Sequence, residues 1–436
     1  MKRLFLSVFM LLVAFATFAQ SRPKLIVGIA VDQMRWDYLH RYYNLYCEGG
    51  FKRLMNEGFD CENTMINYIP AITAVGHTSI YTGAVPSIHG IQANNFLLNG
   101  KMTYCTADST VSGVGTDSKA GQMSPRNMLT TTIGDELKVA TNFKSRVFGV
   151  SIKDRAAILP AGHAADAAYW IDSKQSKFIS STYYMKQLPA WVEKYNKKIS
   201  KYTSDQISYS PVGNEVTIDM AKNVISNEKL GQQGETDMLC VSFSSTDKIG
   251  HKYGTHCQII QDQFVDLDKR LADFFNYLDQ TIGKDEYLVF LTADHGAANN
   301  ILMNQEHGIP AGGFFYKQEL KDLNTYLQKK YNTTANLARY IMSYNVVLDH
   351  DAIAKAGLKL RTVKNDVVKY FQGKEYVAYA VNMDRVESAT VPSYIKEKMI
   401  NGYCRKRNGD IQLIMQPGWY EIYGDKIDEG TTHGAW

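Results

Sequence analysis

Three short, almost entirely apolar runs constrain the fold of this 436-residue chain more than any other feature of its sequence. They cover residues 24–31, 238–243 and 287–291, which are strand lengths, and they show no regular alternation of polar and apolar positions. Strands of this kind are buried on both faces, as in a sheet with helices on either side. The sequence therefore predicts an α/β fold with a doubly wound, mostly parallel sheet flanked by helices.

Helical patterns and irregular stretches fill the intervals between these runs. The helix-like segments are residues 37–57, 215–227 and 258–277. Residues 164–212, which are rich in Tyr, Lys and Ser, and residues 303–425 have a weaker pattern, and we expect both to be insertions that cap the sheet. Within the second insertion, Pro417-Gly418 predicts a hairpin between residues 411–415 and 419–423.

The first 19 residues have the layout of a secretory signal peptide. Lys2 and Arg3 precede an apolar run over residues 4–18, which is followed by the small residue Ala19. A membrane anchor is the alternative, but the run is short for a span and no stop-transfer pattern follows it. We therefore expect residues 20–436 to be exported, to a periplasm or to the medium, without a stable membrane span.

Composition narrows the classes of function further. The chain is 45% hydrophobic and 21% charged, which is ordinary for a globular protein. Two of its 48 basic residues lie in the signal peptide, so the remainder nearly balances the 44 acidic residues and argues against a nucleic acid partner. Six cysteines could pair in an exported protein, but no CxxC motif is present to suggest a thiolate metal site.

Carboxylates and imidazoles gather where the predicted strands end. Asp294 and His295 close the third apolar run, and Asp247 and His251 are four residues apart, one helical turn, after the second. The full set of candidate metal ligands is Asp32, Asp247, His251, Asp294, His295 and His433. Each pair alone is more often a turn cap or a surface pair. Together, three Asp and three His would complete two metal sites, and a nitrogen and oxygen set without sulfur suits zinc best.

A hydroxyl, an amide and two cations complete the candidate site. Thr73 is expected in the first turn of a helix, as a nucleophile in the positive field of the helix N-terminus or as a plain cap. Asn94 could donate to an oxyanion or stabilise a turn. Lys153 and Arg155 are two apart and would point to the same side of an extended backbone, as a phosphate clamp or as a solvated basic edge.

These groups fit one reaction if they converge. Two ions about 4 Å apart can hold the attacking and the leaving oxygen of an in-line phosphoryl displacement. The hydroxyl of Thr73, activated by one ion, would attack, while Lys153, Arg155 and Asn94 would hold the non-bridging oxygens. The sequence therefore predicts a metal-dependent phosphoryl-transfer enzyme.

The same residues carry a family resemblance. They lie in the motifs Val31-Asp32-Gln33-Met34-Arg35, Thr73-Ala74-Val75-Gly76-His77-Thr78, Ser151-Ile152-Lys153-Asp154-Arg155, Thr246-Asp247-Lys248-Ile249-Gly250-His251, Ala293-Asp294-His295-Gly296 and Thr431-Thr432-His433-Gly434. In this order they resemble the alkaline phosphatase superfamily, and most closely the phosphate-irrepressible periplasmic alkaline phosphatases with a threonine nucleophile.

The resemblance implies two Zn²⁺ per chain, an alkaline phosphatase-like fold and a phospho-threonine intermediate. One zinc site would consist of Asp247, His251 and His433, and the other of Asp32, Asp294, His295 and the Thr73 oxygen. Asn94, Lys153 and Arg155 would contact the phosphate. Related diesterases lack the Lys-x-Arg pair, and two extra cations favour the more highly charged monoester. The expected substrates are therefore small phosphate monoesters.

One departure from the family pattern keeps other functions open. Members continue beyond the final His-Gly, whereas this chain ends at Trp436, so the resemblance implies a truncated chain with His433 on a frayed terminus. A phosphodiesterase or nucleotide pyrophosphatase and an inactive metal-binding remnant are the alternatives. A sulfatase is disfavoured because it requires Cys or Ser at the position of Thr73.

Overall fold

The fold is known from a computed structural model that describes residues 22–434, so the signal peptide expected at residues 1–19 lies outside the described residues. The strands, in chain order, are β1 (Leu25–Val31), β2 (Asn95–Leu98), β3 (Lys101–Tyr104), β4 (Gly113–Val114), β5 (Val147–Ser151), β6 (Ala167–Asp172), β7 (Lys177–Ser181), β8 (Asp237–Phe243), β9 (Tyr287–Thr292), β10 (Gly312–Phe314), β11 (Ala338–Met342), β12 (Asn345–Leu348), β13 (Val377–Asn382), β14 (Ile411–Met415) and β15 (Trp419–Glu421).

The α-helices, in chain order, are α1 (Asp37–Arg41), α2 (Phe51–Glu57), α3 (Thr73–Thr82), α4 (Pro86–His89), α5 (Ile133–Ala140), α6 (Asp154–Ala161), α7 (Ala190–Ile199), α8 (Ser204–Tyr209), α9 (Val212–Glu228), α10 (Ser245–Tyr253), α11 (Gln258–Thr281), α12 (Ile301–Glu306), α13 (Tyr316–Tyr331), α14 (His350–Lys355), α15 (Leu360–Gln372) and α16 (Ser393–Gly402). Across residues 22–434, no helix has the length and apolarity needed to cross a bilayer.

The main sheet has the strand order β4-β7-β6-β5-β8-β1-β9. The five strands from β6 to β9 in this order run parallel to one another, whereas β7 and β4 are antiparallel at one edge. This confirms the predicted mostly parallel α/β sheet. Strands β1, β8 and β9 are neighbours at its centre and edge, so their carboxyl ends lie side by side, where ligands bind in sheets of this type.

Helices cover both faces of the main sheet. On one face, Val216 of α9 and Phe264 of α11 share a hydrophobic core with Val27 of β1. On the other face, Tyr81 of α3 packs against Met238 of β8. Because both faces are covered, β1 and β8 are almost entirely buried and mostly apolar, which explains why their sequence shows no alternation.

Residues 164–212 do not cap the sheet as we expected; they extend it with β6 and β7 and follow these strands with α7 and α8. All six residues of β6 are buried, with Tyr169 and Trp170 packed in cores on opposite faces. The indole N–H of Trp170 donates to the carbonyl oxygen of Ala120 at 2.8 Å, which makes its burial favourable. The long helix expected over residues 37–57 is likewise interrupted and forms α1 and α2.

Residues 303–425 contain a second, smaller sheet with the order β11-β12-β14-β13. This antiparallel sheet shares a separate hydrophobic core with α13 and α15. The hairpin expected at Pro417-Gly418 is wrong: β14 pairs with β12 and β13, whereas β15 runs parallel to β10. The turn is present, but it directs the chain out of the four-stranded sheet. All six cysteines lie in the described residues as free thiols.

Candidate metal centre and active site

The candidate ligands meet at the carboxyl ends of three neighbouring strands. Asp32 follows β1, and Asp294 and His295 follow β9. Strand β8 leads into α10, which carries Asp247 and His251 on one face, with the Nε2 of His251 3.1 Å from the Oδ1 of Asp247. The topology of the sheet therefore brings together side chains that are widely separated in sequence.

The imidazole of His295 lies among three carboxylates. Its Nε2 is 3.4 Å from the Oδ1 of Asp32, 3.5 Å from the Oδ2 of Asp294 and 4.0 Å from the Oδ1 of Asp247. The ring of His433 stacks edge-on against it, with 4.3 Å between the ring centroids. All of these side chains are buried, so this is a compact, desolvated cluster of nitrogen and oxygen ligands.

Two groups of ligand atoms in this cluster have the spacing of a metal site, with all atoms of a group within 4.8 Å of one another. One group consists of Asp32, Asp294 and His295, and the other of Asp247, His295 and His433. The resemblance assigned His251 rather than His295 to the second group. His251 is nevertheless adjacent, because its ring centroid is 5.0 Å from that of His433.

Three buried atoms in the cluster have no hydrogen-bond partner within residues 22–434: Asp32 Oδ1, Asp294 Oδ2 and His433 Nε2. The other oxygen of Asp294 accepts hydrogen bonds from the backbone N–H groups of Gln33 and His295, at 3.1 and 2.9 Å. The carboxylate is therefore fixed through one oxygen while the other remains open. Buried polar atoms without partners are uncommon, and here all three belong to residue types that bind metals. The residues present thus fit a divalent cation.

Charge in the cluster is unevenly distributed. Burial and Asp247 oppose ionisation of Asp32, but Lys153 and His295 outweigh them and hold the pKa of Asp32 below its usual value. Burial lowers the pKa of His295, yet the carboxylates of Asp294 and Asp32 raise it to about 9. Burial and the two neighbouring imidazoles lower the pKa of His433, which is therefore neutral and able to act as a ligand.

His433 is not on a frayed terminus, contrary to our expectation. It is only 7% exposed, and the segment before it is tied to the fold by backbone hydrogen bonds. The carbonyl oxygen of Thr431 lies 2.8 Å from the Nδ1 of His251, and Ala298 donates to the carbonyl oxygen of Thr432 at 3.0 Å. These contacts hold the segment against the loop after β9 and against α10.

Thr73 is the first residue of α3, and its Oγ1 is 3.5 Å from the Nε2 of His295. The helix packs closely on the loop after β9, since a Cβ on Gly76 would lie 2.1 Å from the carbonyl oxygen of Asp294. Only glycine permits this approach. The Nδ1 of His77, one turn into the helix, donates to the carbonyl oxygen of Thr73 at 2.9 Å. The hydroxyl is therefore buried beside the ligand cluster at a helix N-terminus.

The two cations lie next to the cluster, although the basis of their predicted arrangement was wrong. Lys153 precedes α6 and Arg155 is in its first turn, so they do not share one side of a strand. The Nζ of Lys153 is 2.7 Å from the Oδ2 of Asp32 and also contacts Asp247. Arg155 donates to the hydroxyl of Tyr104 at 3.0 Å, and its buried Nε has no hydrogen-bond partner in the described part of the chain.

Asn94 faces the same region from the other side of Thr73. Its Oδ1 accepts a hydrogen bond of 3.0 Å from the backbone N–H of Ala74, in the first turn of α3. This contact leaves the amide nitrogen as the group that can donate to a bound anion. Thr73 thus lies in the first turn of a ten-residue helix whose N–H of Ala74 is held by Asn94, and Lys153 contacts two of the neighbouring carboxylates.

Sequence reasoning missed three residues that hold the site together: Gln33, His77 and Tyr104. The side chain of Gln33 donates to the Oδ1 of Asp247 at 3.0 Å, and its φ of 63° lies in the left-handed region, which non-glycine residues seldom adopt. Gln33 and His77 stand inside motifs next to candidate residues, which was the available signal. Tyr104 has no such signal in the sequence.

A cavity of about 590 Å³ opens beside the site. His251, His433 and Asn94 line one part of it. Tyr316 and Tyr423 line the part formed by residues 303–425, which make up the second, smaller lobe. A cavity of this size accommodates a small organic molecule. The cavity therefore lies between the ligand cluster and the part of the chain that contains the smaller sheet.

Comparison with known proteins identifies the family. The sequence profile of the type I phosphodiesterase / nucleotide pyrophosphatase family matches residues 26–436. Alkaline phosphatase PafA of Elizabethkingia meningoseptica is 42% identical over 96% of this chain and 86% of its own length. Alkaline phosphatase PhoV of Synechococcus elongatus is 43% identical over 95% of this chain and 83% of its own length. A Myroides odoratus protein named calcium-transporting ATPase is also 43% identical, over 97% of this chain and 87% of its own length.

Solved structures agree with the sequence comparison. The crystal structure of wild-type PafA matches with a TM-score of 0.91 and 42% identity, over 95% of this chain and 88% of that one. Murine ectonucleotide pyrophosphatase / phosphodiesterase 5, at 14% identity and a TM-score of 0.55, shares the fold. The chain therefore belongs to the type I phosphodiesterase / nucleotide pyrophosphatase family, and it is an enzyme of the alkaline phosphatase-like group within it.

Proposed function

We propose that the protein is an exported phosphate monoester hydrolase that binds two zinc ions per chain and uses Thr73 as its nucleophile. The observation that carries this proposal is the presence of three buried ligand atoms without hydrogen-bond partners, on Asp32, Asp294 and His433, around one hydroxyl. The two relatives named alkaline phosphatase support the choice of substrate. The apolar run near the N-terminus supports export.

The ligand cluster divides between two cations. Asp32, Asp294, His295 and the Thr73 oxygen would hold one, and Asp247, His251 and His433 the other. Bound there, the ions would supply positive charge that favours the ionised hydroxyl and neutralises the departing ester oxygen. Zinc is the metal that a mixed imidazole and carboxylate set without sulfur fits best.

The protein's own groups position the reaction. The Thr73 oxygen attacks phosphorus and displaces the alcohol, which gives a phospho-threonine that water then hydrolyses. The free N–H groups in the first turn of α3 face the region where the phosphate would bind. The amide of Asn94, anchored by the N–H of Ala74, would donate to a non-bridging oxygen.

Lys153 and Arg155 would give the site its preference for monoesters. An ammonium group has three N–H donors, and Lys153 directs two of them to Asp32 and Asp247, so one remains for a phosphate oxygen. The buried Nε of Arg155 is likewise available. A monoester dianion carries more charge on these oxygens than a diester, so the two cations should favour it.

Substitution of the nucleophile tests the mechanism. Thr73→Ala should lower kcat/KM for an aryl phosphate at least about a thousandfold, since the covalent step is lost. Thr82→Ala, at the other end of the same helix, removes a hydroxyl that donates to the carbonyl oxygen of Thr78 and accepts from the backbone N–H of Ala84, and it should leave turnover intact. Elemental analysis should find two zinc ions in both variants. Unchanged turnover in Thr73→Ala would refute the nucleophile.

Substitution of the cations tests the substrate. Lys153→Ala and Arg155→Ala should each lower kcat/KM for the aryl phosphate far more than for its methyl diester. Lys138→Ala is the matched control, because Lys138 is equally buried and paired with Asp166 but lies outside the site. A preference of the unmodified enzyme for the diester would instead favour a phosphodiesterase, the activity that the family description names.

A further inference from the structure

The short hairpin of β2 and β3 joins Asn94, which contacts the phosphate in the proposed function, to Tyr104, which contacts Arg155. Asn94 immediately precedes β2, and Tyr104 is the last residue of β3. The two strand ends are held together, because Asn95 pairs with Tyr104 in the ladder and Cys105 donates to the carbonyl oxygen of Asn94 at 2.9 Å. One small element therefore holds the amide of Asn94, just before its first strand, close to the phenol of Tyr104 at the end of its second strand.

The phenol of Tyr104 makes two directed hydrogen bonds. The Nη1 of Arg155 donates to its oxygen at 3.0 Å, and its own proton goes to the Oδ1 of Asp154 at 2.9 Å. The other oxygen of Asp154 accepts from the hydroxyl of Thr106. Burial raises the pKa of Tyr104 above its usual value, so the phenol keeps the proton that this arrangement needs. The acceptor side of the phenol thus always faces the guanidinium.

Arg155 has few other restraints among the described residues. Its Nε is buried without a partner, and Tyr104 supplies the hydrogen bond at its Nη1. An arginine side chain has many rotamers, so a guanidinium that is not fixed in advance binds a phosphate less well. The phenol removes much of this freedom before substrate arrives.

We propose that Tyr104 is a positioning residue that sets the selectivity for phosphate monoesters by fixing the guanidinium of Arg155. This inference rests on the proposed function, in which Arg155 contacts the phosphate. The same hairpin carries Asn94, so both side chains take their places from one element. The phenol does not contact substrate; it acts through Arg155.

The test compares Tyr104→Phe, Arg155→Ala and the double variant of the full chain. Tyr104→Phe keeps the ring and removes only the hydroxyl. It should lower kcat/KM for an aryl phosphate about tenfold, as misplacement of one contact does, and change that for the methyl diester less than about twofold. In the Arg155→Ala background it should cause no further loss, because the residue it positions is gone.

A measurement without turnover accompanies the kinetics. The dissociation constant of inorganic phosphate, measured by calorimetry on the zinc-loaded protein, should rise about tenfold in Tyr104→Phe. Tyr331→Phe is the matched control. The hydroxyl of Tyr331 also donates to a carboxylate, that of Asp366, and this carboxylate is paired with the ammonium of Lys330, but all three residues lie outside the active site. Tyr331→Phe should change neither kcat/KM for the aryl phosphate nor the dissociation constant of inorganic phosphate.

The possible results distinguish a failure of the positioning role of Tyr104 from a failure of the proposed function. Equal losses on monoester and diester, an undiminished loss in the Arg155→Ala background, or phosphate binding like that of the unmodified protein would each refute the positioning role alone. If the unmodified protein neither hydrolyses the aryl phosphate nor binds inorganic phosphate, the proposed function fails, and the role of Tyr104 fails with it.

Discussion

At the scale of single residues, the two oxygens of Asp294 have different surroundings. Oδ1 is fixed by two backbone N–H groups, whereas Oδ2 accepts no hydrogen bond from the part of the chain that the structure describes. The Nδ1 of His77 lies 3.0 Å from this Oδ2 and donates to the carbonyl oxygen of Thr73, while its Nε2 is 2.8 Å from the Oγ of Ser242. A carbonyl can only accept, so the proton of a neutral His77 is on Nδ1. His77 therefore touches a candidate metal ligand and the backbone of the nucleophile.

We expect His77→Ala to weaken metal binding about 10- to 100-fold, because groups that contact metal ligands orient them. Competition with a chromophoric chelator measures this affinity directly. The reaction should slow as well, since α3 would lose the contact that holds its first residue. Ser242→Ala should have a smaller effect of the same kind, because the Nδ1 contacts of His77 remain; it removes the partner of the second ring nitrogen and a contact with the hydroxyl of Ser244.

His89→Ala provides the control for loss of a buried imidazole. His89 is also fully buried, with its Nε2 3.0 Å from the Oγ of Ser79, but it contacts none of the candidate ligands. Both variants should unfold at lower urea concentration than the unmodified protein. Only His77→Ala should lose metal affinity, and an equal loss in His89→Ala would contradict a specific role for His77.

At the scale of secondary structure, the mostly apolar strands β1 and β8 could be predicted because burial on both faces leaves a simple signature. The apolar run of β9 was also recognised, but β9 is an edge strand whose residues are only partly buried, with Leu288 52% exposed, so the expected burial on both faces is wrong for it. Strands β6 and β7 could not, since they mix aromatic, small and polar residues whose polar atoms find partners only in the folded chain. The break of residues 37–57 and the direction of β15 also depend on tertiary contacts.

In the candidate site, the sequence likewise predicts some residues and not others. Asp32 and Asp294 could be located because each follows an apolar run, and strand ends of a parallel sheet meet at one edge. Their supports could not: Gln33 reaches Asp294 across 261 residues of sequence, and Tyr104 reaches Arg155 across 51. Such contacts follow from packing, which no local pattern encodes.

The segment that carries His433 offers an element-scale prediction. A Cβ on Gly430 would lie 2.0 Å from the carbonyl oxygen of His251, so Gly430→Ala must push the segment away from α10. The hydrogen bond between the Nδ1 of His251 and the carbonyl oxygen of Thr431 should then break. We expect zinc content to fall from two ions to one and kcat/KM for an aryl phosphate to fall at least tenfold.

Gly424→Ala is the matched control for that substitution. A Cβ there would meet only the carbonyl oxygen of Lys426, at 3.9 Å, which is an ordinary contact. Its zinc content and activity should equal those of the unmodified protein. Two zinc ions in Gly430→Ala would show that the docked position of the segment does not matter for metal binding.

At the scale of the whole molecule, the smaller lobe closes one side of the active-site cavity. Met342 at the end of β11, Ser343 in the turn that follows and Glu421 of β15 contribute to its wall. Glu421 is only 3% exposed, its Oε1 has no hydrogen-bond partner, and its Oε2 accepts from the hydroxyl of Tyr423 at 3.2 Å. A carboxyl group thus lies in the cavity wall, and none of the ion pairs among the described residues involves it.

This burial raises the pKa of Glu421 from 4.5 to about 7. The folded protein therefore favours the protonated carboxyl of Glu421. The protonated group makes its full contribution to the free energy of unfolding below pH 4.5. As the pH rises through 7 the contribution is lost, because the unfolded chain releases the proton more readily. A difference of this size corresponds to about 3 kcal/mol in the free energy of unfolding, to order of magnitude.

Glu421→Gln, which cannot ionise, should therefore be more stable than the unmodified protein at pH 8, by up to about 3 kcal/mol, and nearly equal to it at pH 4.5. Urea unfolding of both proteins at the two pH values measures the difference, in which all other titrating groups cancel. Glu319→Gln is the comparison, because Glu319 lies 3.5 Å from the ammonium of Lys374 and accepts from Tyr376, so its loss should destabilise the same lobe at pH 8. The opposite result would be a Glu421→Gln variant that loses stability relative to the unmodified protein when the pH rises from 4.5 to 8. That result would mean that Glu421 is ionised in the folded protein and has a partner for its charge.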